Sequence, residues 1–185
     1  MKPAIRCRGW VCVWMLWCAA LWGGRVGAAE TGKLNEHLEV LRPFLGRTWC
    51  GEMKNSTPEK PVVDVARWER ALNGQAVRVL HSINAGEYGG ETLIYWSAEK
   101  KSLVYRYFTT AGFQTEGVAT VDGTKITSTE KVQGNASGIT EVKAVTELRA
   151  DGAMAKSSEY LKDGKWVPGN AATYREDPKA EVVFR

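Results

Sequence analysis

Polar and apolar residues alternate through most of this chain. In "TEVKAVTEL", Val142, Ala144, Thr146 and Leu148 share one face, while Glu141, Lys143 and Glu147 share the other. In "KITSTEKVQ", Ile126, Ser128, Glu130 and Val132 fall together, and in "QAVRVLHSIN" so do Val77, Val79, His81 and Ile83. A period of two is the mark of a half-buried strand. Asn73-Gly74, Gly89-Gly90, Asp122-Gly123, Gly134-Asn135, Asp151-Gly152 and Asp163-Gly164 separate such segments. Gly, Asn and Asp reach positive φ at low cost, so these pairs suit tight turns. About ten strands result, and no gap between them is long enough for a parallel crossover.

One segment departs from this rhythm. In "KLNEHLEVLRPFL", residues 33–45, Leu34, Leu38 and Leu41 recur at helical spacing. Pro43 is expected to end that helix, because it disfavours helical geometry in the residue before it. The fold class is therefore all-β, an antiparallel meander of about ten strands with one short N-terminal helix. A sheet of that size leaves two exposed edges unless it closes. A two-sheet sandwich is the rival, and the edge argument and short turns favour a barrel. Barrels of eight or more strands are filled by side chains or hold one small ligand.

The first thirty residues read differently. Lys2, Arg6 and Arg8 precede an apolar run from Trp10 to Trp22, and Gly27, Ala28 and Ala29 offer a cleavage site before Glu30. This is the layout of a secretory signal. A helix of that run rises only about 20 Å, short of the roughly 30 Å of a bilayer core. The expectation is a signal at 1–29, one domain at 30–185, a periplasmic or secreted location, and no stable membrane insertion after cleavage.

Taking the signal away changes the charge. Residues 1–29 carry four basic and no acidic side chains, which leaves 21 basic against 21 acidic residues in the remainder. With no basic surplus to neutralise phosphates, a nucleic-acid partner is not expected. Cys7, Cys12 and Cys18 also leave, so Cys50 is the one cysteine of the exported part and no internal disulfide forms. As a nucleophile Cys50 would need a base, and His81 is the one histidine in a strand. A small hydrophobic role suits it better. Two scattered histidines and one cysteine supply no metal-ligand spacing.

A short helix, then Gly46, then Trp49 opening the first strand of a ten-strand meander, resembles the calycin group of lipocalin-like and fatty-acid-binding-like barrels. The stretch "KSLVYRYFTTAGF" adds to that resemblance, which is closest to exported bacterial members of the group. It implies a barrel whose early tryptophan, Trp49, closes one end and stacks against an arginine of the last strand, matched here by Arg175. Nitrobindin-like barrels bind haem through a histidine late in the chain. His37 and His81 both lie too early, so no cofactor is expected.

Candidate binding chemistry concentrates in "LIYWSAEKKSLVYRYF", which reads as a hairpin. If the face with Trp96, Arg106 and the following strand's Glu116 points inward, a buried Arg–Glu pair faces a ligand, since buried charges must be paired. If the face with Tyr105 and Tyr107 points inward, phenols orient the polar end of an apolar ligand. His81 shares an otherwise apolar face and is a further wall candidate. An inward set of Lys156, Ser158 and Tyr160 would likewise point to a polar pocket. The functional expectation is an exported barrel that binds a small, largely apolar molecule. The alternatives are a lyase or isomerase using Tyr, Arg and Glu, and a solid structural barrel of the cell envelope.

Overall fold

The computed structural model describes residues 32–135 and 137–185; the expected export signal at 1–29 lies outside the described residues. Ten strands follow one another: β1 (Arg47–Met53), β2 (Val63–Ala71), β3 (Ala76–Ile83), β4 (Tyr88–Ser97), β5 (Ser102–Thr109), β6 (Gln114–Asp122), β7 (Lys125–Gln133), β8 (Ile139–Leu148), β9 (Met154–Lys162) and β10 (Lys165–Glu176). Each pairs antiparallel with its predecessor, and β10 closes on β1 to make a barrel with no free edge. Turn chemistry sets these hairpins locally. Asp163 and Gly164 both take positive φ, 50° and 74°, as a two-residue hairpin of matching twist requires. The β9–β10 ladder slips between Pro168 and Ala171, where proline cannot donate.

The N-terminal helix is a 3-10 helix, Glu36–Phe44, and Pro43 lies inside it rather than ending it. Pro43 forgoes one N–H bond of that helix, and the Leu45 N–H closes the last turn on the Arg42 carbonyl at 3.1 Å. The Asn35 side chain caps the start by accepting from the His37 N–H. Leu38, Leu41 and Phe44 are buried by this arrangement.

Cross-strand register shows which side chains enter the barrel. Trp49, Ala66, His81 and Gly90 form one inward row across β1–β4. Ile94, Tyr105, Gly117 and Glu130 form another across β4–β7. The helix covers one end, and there the interior is solid. Leu38, Phe44, Trp49, Trp68, Val77, Ile94, Leu103, Ile126 and Met154 belong to one buried apolar cluster. Phe44 stacks on Trp68 with ring centroids 5.1 Å apart, and His37 stacks on Trp96 at 3.7 Å.

The other end is different. Inward residues of β7–β9 such as Ser128, Glu130, Val142, Ala144, Ser158 and Tyr160 are only half-buried, and Lys156 is exposed. Solvent therefore reaches the barrel interior from this end.

Trp49 is 0% exposed at the solid end, and truncating such a residue leaves a cavity. Trp49→Ala is expected to cost about 3–5 kcal/mol in urea unfolding. Its neighbour Cys50 faces outward, and Cys50→Ala is expected to stay within about 1 kcal/mol of wild type.

Candidate functional site

At the open end, polar side chains from five strands meet around Asp64. β2 alternates Asp64, Ala66 and Trp68 inward, so its first inward position puts a carboxyl inside the barrel. Asp64 is 5% exposed. Its Oδ2 accepts the Tyr174 hydroxyl of β10 at 2.7 Å, and its Oδ1 lies 3.0 Å from Nδ1 of His81 on β3. The other ring nitrogen of His81, Nε2, lies 2.7 Å from the Tyr107 hydroxyl of β5. Tyr107 in turn lies 2.9 Å from the hydroxyl of Tyr88 on β4. The result is a continuous hydrogen-bond chain, Tyr174–Asp64–His81–Tyr107–Tyr88.

The electrostatics follow from burial. Burial alone would raise the Asp64 pKa, but hydrogen bonding and charge from His81, helped by the Tyr174 hydroxyl and Lys156, hold it below the usual carboxylate value. Asp64 is thus ionised at neutral pH. Burial is also the main reason that Tyr174 and Tyr107 hold their protons far beyond the ordinary phenol range, and the Asp64 charge adds to it. Tyr88 is shifted the same way, again chiefly by burial. On the facing wall, Glu130 accepts the Thr115 hydroxyl at 2.7 Å. Burial, with the Glu130 charge behind it, pushes Tyr105 up as well.

Glycines make room for the tyrosine rings. A Cβ at Gly51 would lie 2.7 Å from the Tyr174 ring, and one at Gly90 would lie 2.4 Å from that of Tyr107. Gly117 stands in the same relation to Tyr105, and Gly169 to Tyr160. Each of these rings packs closely against the backbone of a neighbouring strand, where only glycine leaves room.

Of the residues singled out in the sequence, Tyr105, Tyr107, His81 and Trp96 all point inward. Trp96 lies at the solid end and packs against the core. Arg106 and Glu116 do not join them. The β4–β5 register sets Trp96 opposite Leu103 and Arg106 opposite Leu93, so Trp96 and Arg106 face opposite sides. Arg106 and Glu116 form a solvent-facing pair at 2.7 Å with Lys100 alongside, their side chains 51% and 41% exposed. The Arg–Glu–Tyr convergence needed for the lyase or isomerase reading is absent from these positions.

Arg175 also requires correction. It lies opposite Cys50 on the outer face and pairs with Asp151 at 2.9 Å. The cation over Trp49 is Arg47, two residues earlier on the same strand face, 5.6 Å from the ring centroid. Cys50 has no base beside it, since His81 points inward, and burial raises its thiol pKa. Among the described residues no group of three or more His, Cys, Asp or Glu is placed to hold a metal ion. A surface hollow of about 470 Å³ lies near Glu52, Glu147, Arg149 and Thr173, and Lys156 and Ala172 also line it.

No family model matches the chain, and no curated protein sequence does. Among solved structures it is similar to the crystal structure of Rv2717c from M. tuberculosis. The TM-score is 0.57 at 16% identity, over 78% of this chain and 99% of that one. At that identity the likeness concerns the barrel fold, and the lining must be read from this chain's own residues.

Asp64 gives the site a pH signature. Its folded pKa is depressed, so the stability it contributes is present above the unfolded value of about 3.9 and is lost as pH falls through the folded pKa. Urea midpoints of the wild type are expected to drop on acidification below about pH 4. Asp64→Asn is expected to flatten that acid limb while lowering the midpoint at neutral pH. Parallel acid limbs would show that Asp64 is not the group responsible.

Proposed function

We propose that this barrel binds a small molecule in its open half. One observation carries the reading: the open half is lined by half-buried tyrosines, Glu130 and Lys156 around a solvent-reachable lumen, where the other half is packed solid. Concave sites of this kind hold an apolar body against ring faces and fix it with a few polar groups. The Tyr105 and Tyr160 rings, with Val142 and Ala144, supply the apolar wall. The Tyr88–Tyr107 pair, Glu130 and Lys156 supply orientation.

The lipocalin-like resemblance and the signal-like N-terminus agree with this reading and extend it. The protein would be exported to the periplasm or beyond, losing residues 1–29, and would carry or sequester its ligand there. The solid end then has a role of its own. It anchors the strands while the open end stays unfilled.

The test uses anilinonaphthalene sulfonate, a dye that brightens in apolar surroundings. Titration is expected to show saturable brightening at one site per chain. Ala144→Trp, which fills the lumen from β8, is expected to weaken it at least about tenfold, a loss of roughly 1.4 kcal/mol. Tyr95→Ala, on the outer face, is expected to leave it unchanged. Undiminished binding in Ala144→Trp would place the dye elsewhere and overturn the reading.

A further inference from the structure

With His81 neutral, the hydrogen-bond chain runs in one direction and ends at Tyr88. Asp64 is ionised and both its oxygens accept, so His81 carries its proton on Nδ1. When the ring holds only that proton, Nε2 is an acceptor and the Tyr107 hydroxyl donates to it; when it holds both, as in the charged form that lowers the Asp64 pKa, the chain runs the other way. With the ring neutral, Tyr107 has spent its one proton and accepts from Tyr88. Tyr88 has spent its proton as well, and its oxygen makes no other hydrogen bond among the described residues. The free end of the chain therefore offers lone pairs and no hydrogen, and it seeks a hydrogen-bond donor from whatever enters the lumen.

From this we infer that the site is built to take a weakly acidic hydroxyl, of the phenol or enol class, and to accept its proton. The inference rests on the lumen being a ligand site. The ligand O–H donates to Tyr88 Oη. When the ligand O–H bond breaks, its proton joins Tyr88, the former Tyr88 proton moves to Tyr107, and the former Tyr107 proton joins Nε2 of His81. Three O–H bonds break, and two O–H bonds and one N–H bond form. No electron changes hands and no other reactant is needed. The electron pair of the broken bond stays on the ligand oxygen.

The end state is held at both ends. The new imidazolium lies beside the Asp64 carboxylate, and Tyr107 and Tyr88 now point their hydrogens toward the lumen, so Tyr88 donates to the ligand anion. One chain thus serves first as base and then as anion holder. A simple alcohol is too weak an acid to make the transfer to an imidazole and would only hydrogen-bond. The groups facing His81 and the chain are Asp64 on β2, Tyr88 on β4, Glu130 on β7, Lys156 and Tyr160 on β9 and Tyr174 on β10. Lys156 favours the anion and makes no ion pair among the described residues, while Glu130 opposes it.

The probe is 4-nitrophenol, whose anion is yellow and whose neutral form is not. At a pH about one unit below its own pKa, about a tenth of it is ionised in water. Probe bound to the wild type, with the amount taken from equilibrium dialysis, is expected to be mostly anion, a rise of about fivefold or more in absorbance per bound molecule. In Tyr107→Phe, which cuts the chain, and in His81→Gln, which cannot take the proton, the bound probe is expected to return to the free-solution colour. Circular dichroism confirms that each variant is folded. Arg106→Ala, on the outer face, serves as the unchanged control. Neutral bound probe in the wild type, or yellow bound probe in Tyr107→Phe, would overturn the inference. If 4-nitrophenol does not bind while the naphthalene dye still fills the lumen, the acidic-hydroxyl class is wrong and the binding reading stands. If neither binds, both fail.

Discussion

The open half of this barrel is organised by one constraint, a carboxylate held inside a protein. Asp64 lies on an inward face whose other members are Ala66 and Trp68. A charge in that position costs several kcal/mol unless it is paired and hydrogen-bonded. Tyr174 arrives from β10, on the far side of β1, and His81 arrives from β3. Three strands are thus tied to the same two oxygen atoms, across the seam where the first and last strands close the barrel. His81 then needs a partner for its second nitrogen, which Tyr107 provides, and Tyr107 needs one in turn. Each satisfied group creates the next requirement, until the chain reaches the lumen at Tyr88.

The barrel divides its labour along its axis. At the helix-covered end Leu38, Phe44, Trp49 and Trp68 exclude water and supply the apolar burial that folding needs. At the other end the strands continue with inward polar residues, and glycines rather than bulky side chains face the tyrosine rings. A larger residue at Gly51, Gly90 or Gly117 would collide with the facing ring and with neighbouring backbone. Their close approach to aromatic rings explains why they sit within strands, where glycine otherwise weakens pairing.

Much of the fold could be read from the chain. The alternation in "TEVKAVTEL" and "KITSTEKVQ", with its turn dipeptides, led to ten antiparallel strands and a closed barrel, and the inward faces of β7 and β8 are the ones those patterns mark. The helix was legible from Leu38 and Leu41, though its 3-10 character and its tolerance of Pro43 were not. The site was half legible. Tyr105, Tyr107 and His81 stood out by type and spacing. Trp96 and Arg106 were grouped wrongly because the parity of a hairpin depends on its register: with Ser97 opposite Ser102, residues 96 and 106 face opposite ways. Asp64 carried a local signal, a carboxylate sharing a face with Ala66 and Trp68, but its partner Tyr174 lies 110 residues away and nothing local joins them. Contacts made by barrel closure have no period to betray them.

The cost of the polar chain bears on its purpose. Buried ionic groups seldom stabilise a fold more than well-packed apolar residues of similar volume would. Leucine or phenylalanine in place of Asp64, His81 and Tyr107 could extend the apolar cluster across the whole interior. The chain instead carries a desolvated carboxylate, two shielded phenols and an imidazole, all partnered, and leaves Tyr88 at the lumen with capacity to spare. A network placed there for stability alone would end on a protein acceptor or donor. This one ends at half-buried Tyr88, with Glu130 and Tyr160 near enough to act on it, which is where a polar group of a bound molecule would complete it.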